Sequence, residues 1–233
     1  MERSAESRNV GNYEMLAEYY DMLLQDEEAL SLWLKYIEEE PFTSVLELAS
    51  GSGVMAGILK RKGYDITASD ISEKMKEVSA KNYDGEYLIL NMTDYHLNKK
   101  YDLVLCICDS INYLYEDELD DFFHCAYEHL NENGRLIFDM HHMNRLEEFK
   151  DQYIEEGFVC DVPYQWTIMS EPEDKEISEH FTFYTDDGMI QENHNQNVFE
   201  IETITKHMED LFNIRIIEDF IEDEKVLIEG YRK

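Results

Sequence analysis

One stretch, Val45-Leu46-Glu47-Leu48-Ala49-Ser50-Gly51-Ser52-Gly53, constrains this chain more than any other. An apolar, β-favouring run carrying a single acid passes directly into a turn with two glycines, and a helical stretch, Met55 to Lys62, follows at once. Strand, glycine turn and helix in that order form a nucleotide-binding corner, because only glycine lets the backbone come close to a ligand. Gly51-x-Gly53 alone carries little weight. With Ala56 it satisfies the G-x-G-x-x-A form of a dinucleotide fingerprint, and an αβ turn with no ligand is the plain alternative. Glu47, an acid placed inside the strand just before the turn, sharpens the pattern.

The segments around this corner set the fold class. Apolar and aromatic residues at helical spacing mark Tyr13 to Leu24 and Asp26 to Glu39, and Pro41 ends the second helix. Met1 to Val10 reads as a frayed polar terminus. Beyond the corner come strand Asp65–Ser69, helix Ser72–Asn82, strand Tyr87–Leu90, strand Tyr101–Cys108, helix Glu116–Leu130 and strand Arg135–Met140. Asn133-Gly134 is expected to close that last helix. Short strands alternating with helices predict an α/β, doubly wound and mostly parallel sheet. The pattern then changes. Val162–Ser170, Ile177–Tyr184 and Met189–Val198 read as strands joined by hairpin turns at Pro172-Glu173-Asp174 and Asp186-Asp187-Gly188. This is an antiparallel β insertion of about forty residues after the fifth strand, longer than an ordinary connection and therefore read as functional. Helix Glu200–Leu211 and the pair Ile214–Phe220 and Lys225–Tyr231 return to the main sheet and make it seven-stranded. The division expected is 1–40 as helices covering the cofactor site, 41–156 with 200–233 as the core, and 157–199 as a lid over the substrate.

Composition narrows the function classes. With 20 Lys and Arg against 53 Asp and Glu, the net charge is −33, which leaves no obvious basic footprint for a phosphate backbone. Nucleic acid is therefore excluded as a partner, and bulky anionic substrates are disfavoured. Hydrophobic residues make up 43%, enough that disorder is not the default despite the charge. The four cysteines, Cys106, Cys108, Cys125 and Cys160, show neither zinc spacing nor a disulfide framework; Cys106 and Cys108 share one face of a predicted strand and read as buried thiols. No metal site is expected. No signal peptide or long apolar span is seen, so a soluble, cytoplasmic protein without membrane contact is expected, with a homo-oligomer left open.

Glu47-Leu48-Ala49-Ser50-Gly51-Ser52-Gly53 resembles the first motif of class I S-adenosylmethionine-dependent methyltransferases, E-L-G/A-C-G-T-G, with Ser50 in place of the cysteine. Four further stretches extend the resemblance. Tyr13-x-x-Leu16-Ala17-x-x-Tyr20-Asp21-x-Leu23 is similar to the family's Y-x-x-L-A-x-x-Y-D-x-L lead-in, and Ser69-Asp70-Ile71-Ser72-x-x-Met75 to its D-x-S-x-x-M. Leu90-Asn91-Met92-Thr93-Asp94 is similar to G-D-M-x-D, and Asp109-Ser110-Ile111-Asn112-Tyr113 to D-S-L-N-Y-L. A terminal hairpin after the last helix belongs to this class and is lacking in the nicotinamide-binding fold.

The resemblance implies S-adenosylmethionine as cofactor. It implies contacts from Glu47, Ala49, Gly51 and Gly53 in the corner and from Asp70 to the ribose, although Asp70-Ile71-Ser72 could also simply cap the next helix. Adenine is then expected between Ile71 or Met75 and the fourth-strand end at Cys108, with Asn91 and Met92 at its edge; an amide oxygen replaces the usual acid there. Asp109 is expected to hold the cofactor's amino acid end or the substrate. Tyr20 is expected over the cofactor. Together with His141 or His142, which end the fifth strand, and His194 in the insertion, it is expected to face the acceptor. Glu192-x-His194-x-Gln196-Asn197-x-Phe199 resembles E-x-H-x-Q-R-x-Y with the arginine missing, which suggests an acceptor without the anionic group an arginine would grip. The reading is methyl transfer to a small molecule by in-line displacement. Its rivals are methylation of a basic protein partner and a non-catalytic interaction module.

Overall fold

The computed structural model describes residues 13–221 and 224–233; the polar stretch Met1 to Val10 lies outside them. Two helices lead in, α1 (Leu16–Leu24) and α2 (Glu27–Ile37). The Rossmann-like half follows as β1 (Ser44–Glu47), α3 (Val54–Arg61), β2 (Asp65–Asp70), α4 (Glu73–Ser79), β3 (Glu86–Ile89), β4 (Tyr101–Cys106), α5 (Leu119–Glu128) and β5 (Leu130–His141). A short helix, α6 (Asn144–Glu148), leads into four strands, β6 (Tyr153–Val159), β7 (Val162–Glu171), β8 (Glu176–Thr185) and β9 (Gly188–Asn197). Helix α7 (Ile201–Met208) and strands β10 (Phe212–Ile221) and β11 (Lys225–Arg232) finish the chain.

The main sheet has seven strands in the order β10-β11-β5-β4-β1-β2-β3. β11 runs antiparallel to both neighbours, while β5, β4, β1, β2 and β3 are parallel. Its central strands are apolar on both faces, as a sheet covered by helices on each side requires. One side packs Leu46, Val104, Leu136 and Phe138 against Phe122 and Phe123 of α5 and Ile204 of α7. The other packs Val45, Leu103, Leu105 and Ile137 against Trp33 and Ile37 of α2 and Leu59 of α3. The doubly wound, mostly parallel seven-stranded sheet and the antiparallel insertion expected from the sequence are both present.

The boundaries differ in instructive places. β4 ends at Cys106, because Cys108 and Asp109 both adopt left-handed backbone (φ 62° and 59°), so Cys108 is an exposed loop thiol and does not share a buried strand face with Cys106. Asn133 takes φ 65° inside β5, and Asn133-Gly134 bends that strand rather than ending a helix. The second sheet begins at Tyr153, with β6, where no strand was expected. It is antiparallel throughout, in the order β6-β7-β8-β9. It meets the core through α1, whose Leu16 packs with Phe181 and Phe183, and through α6, whose Leu146 packs with Ile168 and Ile177.

Candidate active site

The chain leaves β1 through Ala49, Gly51 and Gly53, all left-handed (φ 49°, 52° and 74°). The two glycines serve different ends. A Cβ on Gly51 would meet nothing within 4 Å, because Gly51 borders open cavity; one on Gly53 would press on Cβ of Ser79 and of Tyr83 at 3.2 Å. Gly53 thus lets α3 start against α4, and Gly51 keeps the cavity wall free. The loop is pinned at Gly51, whose N–H donates to Asp70 Oδ2 (3.0 Å) and whose carbonyl accepts from the Tyr87 hydroxyl (2.6 Å). Asp70 Oδ1 accepts from Ser72 N (2.9 Å), and Ser72 caps α4 by accepting from Met75 N (3.1 Å). Capping therefore falls to Ser72, while Asp70 holds the loop and borders the cavity.

Glu47 is buried beneath this loop, and its Oε2 has no hydrogen-bond partner. Burial pushes its carboxyl up to about 8, since the charged form loses water; nearby Ser50 tempers the rise. Above the loop lies α1. Asp21 accepts from Ser52 Oγ and from Asn82 Nδ2 (2.8 Å), which fixes the helix to the loop and holds the adjacent Tyr20 at the cavity.

The carboxyl ends of β4 and β5 and the start of β11 converge on a charged cluster. Lys225 Nζ donates to Asp109 Oδ2 (2.5 Å) and to Asp139 Oδ2 (3.1 Å). His141 lies 3.6 Å from Asp109 through Nδ1, its Nε2 meets Gln196 Oε1 at 2.8 Å, and its backbone N–H donates to Asn112 Oδ1 (3.0 Å). Burial lowers the His141 pKa against the pull of Asp109. Burial would raise Asp109, yet His141 and Lys225 hold it below the usual carboxylate range. Burial, reinforced by Asp109, lifts Asp139 to about 6.

The insertion supplies the opposite wall. On its inner face the register sets Trp166, Phe181 and Glu192 in one row, Ile168, Glu179 and His194 in the next, and Ser170, Ile177 and Gln196 in a third. Glu192, His194 and Gln196 alternate on β9 and do three different things. Glu192 accepts from Met15 N and from Leu16 N (3.2 Å) at the start of α1, and Gln196 reaches His141. His194 packs on the Tyr13 ring (4.4 Å between centroids), with neither ring nitrogen hydrogen-bonded; burial lowers its pKa to about 4. Glu179 accepts from Trp166 Nε1 (3.0 Å), and burial raises it to about 7. Tyr13 and Tyr113 join their hydroxyls at 2.7 Å beside these groups.

These elements enclose one cavity of about 850 Å³, within the roughly 300–1,000 Å³ of small-molecule sites. Of the residues expected at the site, Tyr20, Glu47, Ala49, Gly51, Asp70, Ile71, Met75, Asn91, Met92, Cys108, Asp109, His141 and His194 border it. Gly53 and His142 do not. His142 instead accepts from Asn144 N through Nδ1 (3.1 Å), at the start of α6. Asn91 Oδ1 already takes the N–H (3.2 Å) and hydroxyl (3.1 Å) of Thr93. Asn197, in the place of the family's arginine, ties β9 to Leu114 O (2.9 Å) and does not line the cavity. Sequence reasoning passed over Lys225, Glu179, Trp166 and Arg145, and gave Asp21 no role. The alternation of Glu192, His194 and Gln196 was a usable signal of one inward face. Among the described residues no group of side chains could hold a metal ion, and no helix is long and apolar enough to cross a membrane.

The fold is that of class I S-adenosylmethionine-dependent methyltransferases, and the chain's relatives support an enzyme of that activity with S-adenosylmethionine as cofactor. The chain carries a methyltransferase domain, matched by that family's model over residues 45–134. A protein of Geobacillus sp. (strain WCH70) that bears a methyltransferase name is 27% identical over 208 residues, 82% of this chain and 84% of that one. Among solved structures, an S-adenosylmethionine-dependent methyltransferase from Clostridium acetobutylicum ATCC 824 superposes with a TM-score of 0.78 at 23% identity, covering 94% of this chain and 98% of the other. A sugar N-methyltransferase from Streptoalloteichus sp. ATCC 53650 gives 0.80 at 17% identity, covering 94% and 93%.

Proposed function

We propose that this enzyme methylates a small molecule held between the core and the insertion sheet, in the cytoplasm. The carrying observation is the single cavity that runs from Gly51 and Asp70 on the core to Trp166 and His194 on the insertion. A roofed chamber of this kind suits a metabolite better than a protein chain, and the net charge of −33 disfavours nucleic acid. The sugar substrate of the Streptoalloteichus structure agrees with that choice. Four cysteines without a disulfide, two of them exposed, suit a reducing compartment. Exposed Ile154, Phe158, Tyr184 and Met189 on the insertion are compatible with self-association.

The residues present fit the cofactor. The unpartnered Glu47 oxygen suits an ammonium group, the open space beside Gly51 admits a chain, and Asp70 at the cavity edge suits a ribose diol. Ile71, Met75, Met92 and Cys108 offer apolar walls for adenine, with Asn91 at its edge. The bound cofactor supplies an electrophilic methyl on a sulfonium. The protein's work is to align the nucleophile and exclude water. Burial raises the Tyr20 phenol, so it stays protonated and presents a neutral ring and hydroxyl. His194 is neutral at physiological pH, with both nitrogens free to contact the acceptor. His141, held by Gln196 and Asn112, positions Asp109 and the insertion relative to each other.

Calorimetry with S-adenosylmethionine, followed by S-adenosylhomocysteine release from a metabolite extract and from a proteome, tests this reading. Binding and turnover with metabolites alone are expected. Absence of binding would leave only an interaction module, and turnover confined to the proteome would select the protein-substrate rival.

A further inference from the structure

Glu179 is the half-buried acid on the cavity wall that the reading above leaves without a task. It sits mid-strand on β8, between Ile168 of β7 and His194 of β9, and faces the cavity. Among the described residues no cation pairs with it. Lys225 is taken by Asp109 and Asp139, and Arg145 by Glu148 (2.7 Å) and Glu224 (3.5 Å). Its one hydrogen bond comes from Trp166. Around it stand the rings of Tyr13, Tyr20, Tyr113, Trp166 and Phe181.

We propose that Glu179 anchors and deprotonates an amine acceptor: the ammonium of a small primary or secondary amine pairs with this carboxylate inside the aromatic chamber and gives up a proton to it before methylation. The inference rests on the methyl-transfer reading and names its substrate class. A carboxylate drawn partly out of water among aromatic rings and without a counter-charge is unfavourable, and an organic cation is the ligand that relieves it. Aromatic faces favour the same ligand through their negative quadrupoles, whereas a neutral hydroxyl gains little there and a carboxylate or phosphate would be repelled. Desolvation raises the Glu179 carboxyl to about 7, the direction expected of an acid that lacks a counter-charge. The titratable groups facing it are His194, Tyr13, Tyr20 and Tyr113, with Asp109, Arg145 and Lys225 further off. The steps balance. One N–H proton passes to Glu179 and frees the nitrogen lone pair. The N–CH3 bond then forms as the methyl–sulfur bond breaks, the sulfonium leaving as a neutral thioether. The methylated amine departs as an ammonium, and Glu179 returns its proton to solvent.

The test uses matched pairs, glucosamine with glucose and ethanolamine with ethylene glycol, read by S-adenosylhomocysteine release. In parallel, choline and its neutral isostere 3,3-dimethylbutanol are titrated into the S-adenosylhomocysteine complex by calorimetry. Turnover of an amine and not of its hydroxyl partner is expected, as is binding of choline alone. Glu179→Gln should lower kcat/KM for that amine at least 100-fold, abolish choline binding, and leave the cofactor Kd within twofold. Trp166→Phe keeps the ring but removes the donor to Glu179, so the acid limb of the kcat/KM profile should move to higher pH. Equal use of both pair members, equal binding of choline and its isostere, or wild-type behaviour of Glu179→Gln would overturn the proposal. So would a silent panel joined to absent choline binding. Failure of the wild-type chain to bind S-adenosylmethionine would instead strike the methyl-transfer reading, and choline titrated into the free protein would still judge Glu179.

Discussion

The two halves of the cavity are built on opposite principles. The half proposed for the cofactor is made of backbone and short local motifs: three left-handed residues in five, a loop N–H on Asp70 and a loop carbonyl on Tyr87. The insertion half is made of side chains projected from different strands, and its key groups, Glu179 and His194, are short of partners. A loop fixed by its own backbone serves one constant ligand. Polar side chains left unsatisfied in a cavity wall suit a particular acceptor, and they are the part free to vary as substrates change.

Substitutions should separate the halves. The largest effect is expected from Gly51→Val, which fills the cavity wall and adds about 1–2 kcal/mol of left-handed strain. Calorimetry should show cofactor binding lost while circular dichroism shows the fold kept, because no atom lies within 4 Å of the new Cβ. Glu47→Gln comes next. The folded chain keeps the Glu47 proton up to about pH 8, whereas the unfolded chain releases it near its ordinary 4.5. The native state therefore binds more protons across that window, and the stability of the free wild-type protein falls as pH rises through it. The glutamine variant lacks that slope, so its stability advantage should grow toward pH 8 to on the order of 4–5 kcal/mol at 1.36 kcal/mol per pKa unit. Matching pH profiles of thermal unfolding would show that Glu47 is already ionised.

Asp70→Ala should weaken S-adenosylmethionine by about 1.5–3 kcal/mol, through the lost ribose contact and the released loop. His194→Ala should do the reverse, lowering turnover about tenfold, the worth of roughly one hydrogen bond, with cofactor affinity unchanged. A cofactor Kd altered as much as turnover would erase the contrast between the halves. Asn91→Asp should have the smallest effect, with affinity within about twofold, because a carboxylate can still accept from Thr93.

This division also explains what could be read in advance. The sheet, the corner and Asp70 lie in contiguous motifs whose spacing carries their geometry, and the structure has them nearly residue for residue. Lys225 has meaning only beside Asp109, 116 positions away, and no local pattern marks that meeting. Glu179 looked like any strand acid in a chain rich in them; its place on the cavity wall, with no cation paired to it among the described residues, sets it apart. Strand β6 escaped notice because, as an edge strand, it buries little beyond Val159 and shows no alternation. Cys108 and Asn133 were misjudged for one reason. Each adopts a left-handed conformation, which apolar patterning does not report.

Helix α1 is held at two points belonging to different parts of the molecule. Its first turn is capped by Glu192 from the insertion, and Asp21 near its far end is held by Ser52 of the glycine loop and by Asn82. The tyrosines that border the chamber lie just before the first attachment and just before the second. Any outward swing of the insertion must therefore either drag α1 off the glycine loop or break the Glu192 cap. Acceptor exchange and cofactor exchange become mechanically linked, and a methylated product would leave fastest when the spent cofactor is also loosening. If α1 covers the cofactor as proposed, release is expected to be slower than methyl transfer, and a burst of S-adenosylhomocysteine in the first turnover would show it.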